Sequence, residues 1–113
     1  MKWIALTSFQ QLEDLKKESE EKAVLIFKHS TRCSTSRMSL DRLERNWNNQ
    51  EMANVTPYFL DLISYREISN LISAQFNVHH ESPQVLVISK GKSVLDLSHF
   101  EIDYDQIRKL LKN

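Results

Sequence analysis

The stretch VLIFKHSTRCSTSRMSLDRLERNW, residues 24–47, decides how the rest of the chain is read. Val24, Leu25, Ile26 and Phe27 form an apolar run with no polar interruption, which predicts a buried strand over Ala23–Phe27. Lys28, His29, Ser30, Thr31 and Arg32 end it, and Cys33 follows. Ser36, Leu40, Leu43 and Trp47 then recur at the spacing of one helical stripe, so a helix is predicted from about Ser34 to Asn49. Cys33 falls at its first turn, on the side of Ser36.

That position has chemical weight. The first turn of a helix offers free backbone N–H groups and the positive end of the macrodipole. Arg32 and Arg37 add positive charge. Together these favour a thiolate over a thiol. A lone cysteine is often only a small buried hydrophobe. The neighbours of Cys33 are His, Ser, Thr and Arg, however, which suit a reactive cysteine in a polar loop better than a core one.

Composition narrows the classes. A chain of 113 residues forms one domain, 1–113, with room for a core of its own. Lys plus Arg and Asp plus Glu both count 15, so no basic surplus points to nucleic acid or to an anionic membrane. The single cysteine excludes an internal disulfide and fits a reducing cytoplasm. Met1–Leu6 is too short and too soon polar for a signal peptide. No apolar run approaches the roughly 20 residues of a membrane span.

Outward from the opening stretch, the elements alternate. Lys2–Leu6 is a short strand candidate. Thr7 or Ser8, each with Gln three residues on, caps a helix whose apolar face is Phe9, Leu12 and Leu15, and whose end, Lys16–Lys22, is a solvated charge run. Val55–Leu62 is the third strand, with Pro57 expected at its start or at an unpaired position. Ser64-x-x-Glu67 has the spacing of a capping box before the Ile68, Leu71, Ile72, Phe76 stripe. Gln84–Ser89 and Ser93–Leu97 are strands joined by the Lys90-Gly91 turn, and Asp103 caps a last helix carrying Ile107, Leu110 and Leu111. The order βαβαβαββα predicts an α/β fold with a mixed central sheet and helices on both faces, similar to thioredoxin.

Two motifs sharpen that likeness. Ser82-Pro83 directly precedes a predicted buried strand, and X-Pro is the bond for which cis is cheap. Cys33-Ser34-Thr35-Ser36 has CxxC spacing with serine in place of the second cysteine. With Phe27-Lys28-His29-Ser30-Thr31-Arg32-Cys33 and Ser82-Pro83-Gln84, the chain resembles the YtxJ-like family of bacillithiol-associated proteins over essentially its whole length. The resemblance implies a cytoplasmic, bacilliredoxin-like protein with no bound cofactor. It would act on mixed disulfides between client proteins and bacillithiol, or another small thiol, as co-substrate. It also implies that Cys33 is the catalytic residue, that Pro83 is a cis-proline packed against it, and that His29, Ser30, Thr31, Arg32 and Ser36 form the supporting loop.

Several roles stay open at this level. Arg32 could raise thiolate content or hold a carboxylate of the small thiol, or be a plain surface arginine. His29 could give a proton to a leaving thiolate, or be hydrogen-bonded for structure. Thr31 and Ser36 could donate to the Cys33 sulfur. Three other readings compete. One is a thioredoxin-like interaction module without catalysis. The second is a monothiol glutaredoxin-like iron–sulfur carrier, disfavoured because Ser34 and Thr35 follow the cysteine and Glu81-Ser82-Pro83 replaces Thr-Val-Pro. The third is metal binding by Cys33 with His29, His79 and His80, whose spacing matches no zinc pattern.

Overall fold

The computed structural model describes residues 1–111. Five strands form one sheet in the order β1-β3-β2-β4-β5: β1 (Ile4–Ala5), β2 (Val24–His29), β3 (Thr56–Asp61), β4 (Gln84–Ser89) and β5 (Lys92–Ser98). β1 and β2 both run parallel to β3, while β4 is antiparallel to β2 and to β5. Four helices, α1 (Phe9–Glu18), α2 (Ser34–Asn46), α3 (Arg66–Phe76) and α4 (Tyr104–Leu111), cover it.

Alternation along β2 sorts the core into two layers. Val24 and Ile26 pack with Leu12 and Leu15 of α1 and with Ile68, Ile72 and Phe76 of α3. Leu25 and Phe27 pack with Leu40 and Leu43 of α2 and Ile107 of α4 on the other face. The α/β fold with helices on both faces is as expected from the element order.

Local chemistry explains most boundaries. Ser8 and Gln11 close a reciprocal capping box at the start of α1. Lys90 and Gly91 both have positive φ, 53° and 75°, as a tight two-residue hairpin requires. Pro57 lies one residue into β3, outside the Tyr58–Phe59 segment that β1 covers. Asp103 Oδ1 accepts from Asp105 N–H at the start of α4.

Four expectations need correction. Phe9 and Leu110, expected on the apolar faces of α1 and α4, are exposed. β2 continues through Lys28 and His29, both buried, because each finds a polar partner that offsets desolvation. α2 stops at Asn46, three residues early, with Trp47 extended at its C-cap. The Ser64–Glu67 capping box does not form: α3 begins at Arg66, and Ser64 Oγ instead donates to the Asp61 carboxylate, which also receives the Ile63 and Ser64 N–H groups. An acceptor already held at the strand end outcompetes a cap three residues on. A single 3-10 turn, His99–Glu101, adds to the expected order.

Candidate active site

The site forms where the C-terminal end of β2 meets the start of α2. Cys33 is the helix N-cap, in extended conformation at φ −118° and ψ 118°, and is half-buried. Its N–H donates to Ser30 C=O and its carbonyl accepts from Arg37 N–H, both at 3.2 Å. No side chain caps the helix, so the first-turn amides have no side-chain acceptor. Thr31 and Arg32 are exposed beside it. Among the described residues Arg32 forms no ion pair.

His29 and Ser36 make a buried pair under this loop. Ser36 Oγ lies 2.7 Å from His29 Nδ1 and accepts from Ser30 N–H at 3.1 Å. The imidazole sits among aromatic rings, 5.4 Å from Phe59 and 6.2 Å from Phe27 between centroids. Burial pushes its pKa down, and the Arg37 charge pushes the same way. His29 is therefore a neutral hydrogen-bonding group rather than a standing imidazolium donor. Ser36 spends its hydroxyl on this pair, which is why a small polar residue occupies an otherwise apolar stripe.

Lys28 points to the opposite face of the sheet. Its side chain is 0% exposed, and its Nζ donates to His80 Nδ1 at 2.7 Å. Desolvation lowers its pKa to about 8. Burial and the Lys28 charge push the His80 pKa down as well, so a neutral imidazole accepts from the amine. His80 belongs to the loop that leads to Ser82–Pro83, and that peptide bond is cis. Gln84, opposite Lys28 in the β2–β4 register, donates from Nε2 to His79 C=O at 3.0 Å.

A second connection joins the proline to the cysteine's helix. His99 N–H donates to Pro83 C=O at 2.9 Å, and His99 C=O accepts from Ser39 Oγ of α2 at 3.0 Å. The His99 ring reaches Glu81 at 2.9 Å. The structure thus ties Pro83 and the helix of Cys33 to one residue, while Ser82 Oγ is buried without a partner among the described residues. His79, His80 and His29 do not converge on Cys33: His29 and Lys28-bound His80 occupy opposite faces of the sheet. Among the described residues no three His, Cys, Asp or Glu side chains form a metal-binding set.

Sequence reasoning gave no role to Lys28 or His99, and weighed His80 only as a metal ligand rather than as the partner of Lys28. For Lys28 a signal existed. Two polar residues that end a fully buried strand project to opposite faces and need partners on both. Nothing comparable marks His99, a non-glycine residue at φ 56°.

A parallel β1-β3-β2 core with an antiparallel β4–β5 edge, one thiol at the N-cap of α2 and no second cysteine defines a monothiol protein of the thioredoxin fold class. The comparisons agree. One solved structure described as having a thioredoxin fold matches with a TM-score of 0.80 and 29% identity, over 94% of this chain and 90% of that one. The Malassezia sympodialis thioredoxin Mala s 13 matches with a TM-score of 0.75 and 15% identity, over 96% and 87% of the two chains. Fasciola hepatica thioredoxin gives 0.70 and 20%, over 95% and 94%. The model of the monothiol bacilliredoxin BrxC family matches residues 4–107. The chain belongs to that family, and family and fold together support a thiol oxidoreductase.

Proposed function

We propose that this protein removes a low-molecular-weight thiol, bacillithiol in the first instance, from mixed disulfides on client proteins in the reducing cytoplasm. The observation that carries this reading is Cys33 itself: the one thiol of the chain, half-exposed at a helix N-terminus whose first-turn amides no side chain caps. The Cys33 thiolate attacks the sulfur of the small thiol. The S–S bond of the mixed disulfide breaks, a Cys33–small-thiol disulfide forms, and the expelled client thiolate takes a proton from water. A second small-thiol molecule, as thiolate, then attacks the adduct. This gives the symmetrical small-thiol disulfide and returns Cys33.

The supporting residues divide by reach. Arg32, exposed and without an ion pair among the described residues, serves to hold a carboxylate of the small thiol. Thr31 lines the same approach. The His29–Ser36 pair supports the floor of the loop, because Ser36 Oγ both pairs with His29 Nδ1 and accepts from Ser30 N–H. Pro83, in the cis peptide bond just before β4, is fastened through its carbonyl to His99 N–H.

The test is mass spectrometry on a client protein carrying bacillithiol. Wild type should gain the adduct mass while the client loses it, and added bacillithiol should clear the adduct. Cys33→Ser should leave the client modified. If wild type and Cys33→Ser behave alike, the protein is a binding module and not an exchange enzyme.

A further inference from the structure

Lys28 is a buried cation that the exchange steps leave unused. Its side chain is 0% exposed, and Leu60 and Gln84 flank it on β3 and β4. Among the described residues its ammonium has one side-chain partner, the His80 imidazole at 2.7 Å. Burying an ammonium costs free energy that a single neutral acceptor offsets only in part, and an apolar side chain of similar length would cost less. Stability therefore does not account for a lysine here.

The topology does. β2 and β4 are antiparallel neighbours, with Lys28 opposite Gln84. Beyond that pair β2 leads out to Cys33, and β4 is entered from the loop 79–83, so both segments lie at the same end of the sheet. The loop is held on two sides. Pro83 C=O is bound by His99, which is itself tied to Ser39 of α2. On the α3 side, the Lys28–His80 bond is, among the described residues, the one side-chain hydrogen bond between the loop and β2. An ammonium has only donors, so His80 Nδ1 accepts and the ring proton stands on Nε2. Lys28 thus fixes both the place of the imidazole and its tautomer.

We propose that Lys28 is a positioning residue for exchange: acting through His80, it sets where the Ser82–Pro83 loop stands against the strand that leads to Cys33, and so how a client's mixed disulfide is seated. This role rests on the exchange reading above. Lys28 touches no reacting atom, and the bonds made and broken at sulfur are the same.

The tie depends on the Lys28 proton, which burial makes easier to lose, with a pKa of about 8. The charged or titratable groups that act on His80 are Arg66 of α3 and, on its own loop, Glu81 and His79. Leu60, Gln84 and Ser69, the other neighbours of the pair, carry no charge. Lys28→Met leaves all of these in place, so whatever part of a pH profile it removes belongs to Lys28.

A peptide with a central cysteine capped by bacillithiol tests this. Two rates are compared between about pH 7 and about pH 9.5: release of peptide thiol, and alkylation of Cys33 by iodoacetamide, which needs no seated client. Their ratio cancels the ionisation of Cys33. In wild type the ratio should fall about ten-fold as pH rises through the Lys28 transition, the scale of loss that a misplaced binding element brings. In Lys28→Met it should start about ten-fold lower and stay level. Alkylation should remain within about two-fold of wild type, which also verifies the fold around the cysteine. His80→Phe should reproduce the loss, and the double variant should lose no more than either single one, as two residues acting as a unit do. An unchanged ratio in Lys28→Met, or additive losses in the double variant, overturns the proposal. So does an equal fall in both rates, because Lys28 would then act on the thiol itself. Those three results leave the exchange reading standing. Wild type that is alkylated but releases no peptide thiol overturns the exchange reading, and the positioning role with it.

Discussion

Lys28 and His29 are chain neighbours with opposite surroundings. Both are almost without solvent contact, 0% and 4% exposed, and desolvation lowers the pKa of each. Strand alternation sends Lys28 toward α3 and the loop before Pro83, and His29 toward α2 and Cys33. Each fastens one of the two segments that meet at the candidate site. The difference lies in what surrounds them. His29 has rings of Phe27 and Phe59 about it and a hydroxyl that is itself anchored to Ser30. Lys28 rests on one imidazole, with only a weak 3.5 Å contact from Ser69 Oγ behind it. One anchor is a packed network and the other a single charged bond, so they should fail differently.

The largest effect is expected from Ser36→Cys, which attacks the His29 side at the helix. Residues three apart in a helix have Cα atoms within the roughly 4.4–6.8 Å that a disulfide needs. After reaction with an oxidised small thiol the variant should expel it and bridge Cys33 to the introduced thiol, losing two protons in mass with no lasting adduct. A folded variant that keeps its adduct would show that the two positions do not face each other.

His29→Ala comes next. It removes a buried ring and strands Ser36, and should cost about 2–4 kcal/mol in urea unfolding. The pH dependence follows from the lowered pKa. Between the folded value and 6.5 the unfolded chain binds the extra proton, so wild-type stability rises as pH climbs to 6.5 and is lost below it. The variant should show a shallower acid slope, with His80 supplying what remains. An unchanged slope would mean that His29 titrates normally in the fold.

Lys28→Met should be far milder. An apolar side chain of similar length replaces a desolvated cation, so stability at pH 7 should stay within about 1 kcal/mol of wild type. The signature is again the pH profile. Lys28 binds its proton less tightly in the fold, with a pKa of about 8 against 10.5. Wild-type stability should therefore rise between about pH 8 and 10, and the variant should lack that rise. Above about pH 10 the Tyr58 hydroxyl, held to about 12 by burial and by its bond to Glu18, works in the opposite direction. Smallest of all, Ser69→Ala should change stability by less than about 0.5 kcal/mol, since its contact with His80 is long. A larger loss would make the Lys28 side a network too.

How much of this could be read beforehand varies along the chain. The unbroken apolar run Val24–Phe27 and the helical spacing of Leu40 with Leu43 and of Ile68 with Ile72 are strong enough to give the fold. The Lys90-Gly91 turn and the Ser8–Gln11 box are local, with both partners within a few residues. Lys28 reads as the start of a loop because a polar residue after an apolar run looks like an end; its partner His80 is 52 positions away. Ser64 carries a genuine capping pattern, which the Asp61 carboxylate overrides by accepting its hydroxyl. Cys33 is legible from its neighbours and its helix. The bonds of His29 to Ser36 and of His99 to Pro83 and Ser39 are not, because they depend on how strands and loops from distant parts of the chain converge.

The two-residue hairpin also bears on the order in which the chain assembles. β4–β5 is the one strand pair in the described sheet that closes without a long loop; β2 must find β3 and β4 across intervening helices, and β1 must find β3. Hairpins form in about 1–10 μs, whereas distant pairings wait on loop closure. We therefore expect the Gln84–Ser98 ribbon to appear first and the union of Cys33 with the proline loop to come last, when β2 docks beside β4. Pulsed hydrogen exchange during refolding would show this as early protection of Val87 and Leu95 amides. Equal or earlier protection at Ile26 would mean that the parallel core leads. In a late-assembling site, a newly made chain would keep its thiol idle until the sheet around it is complete.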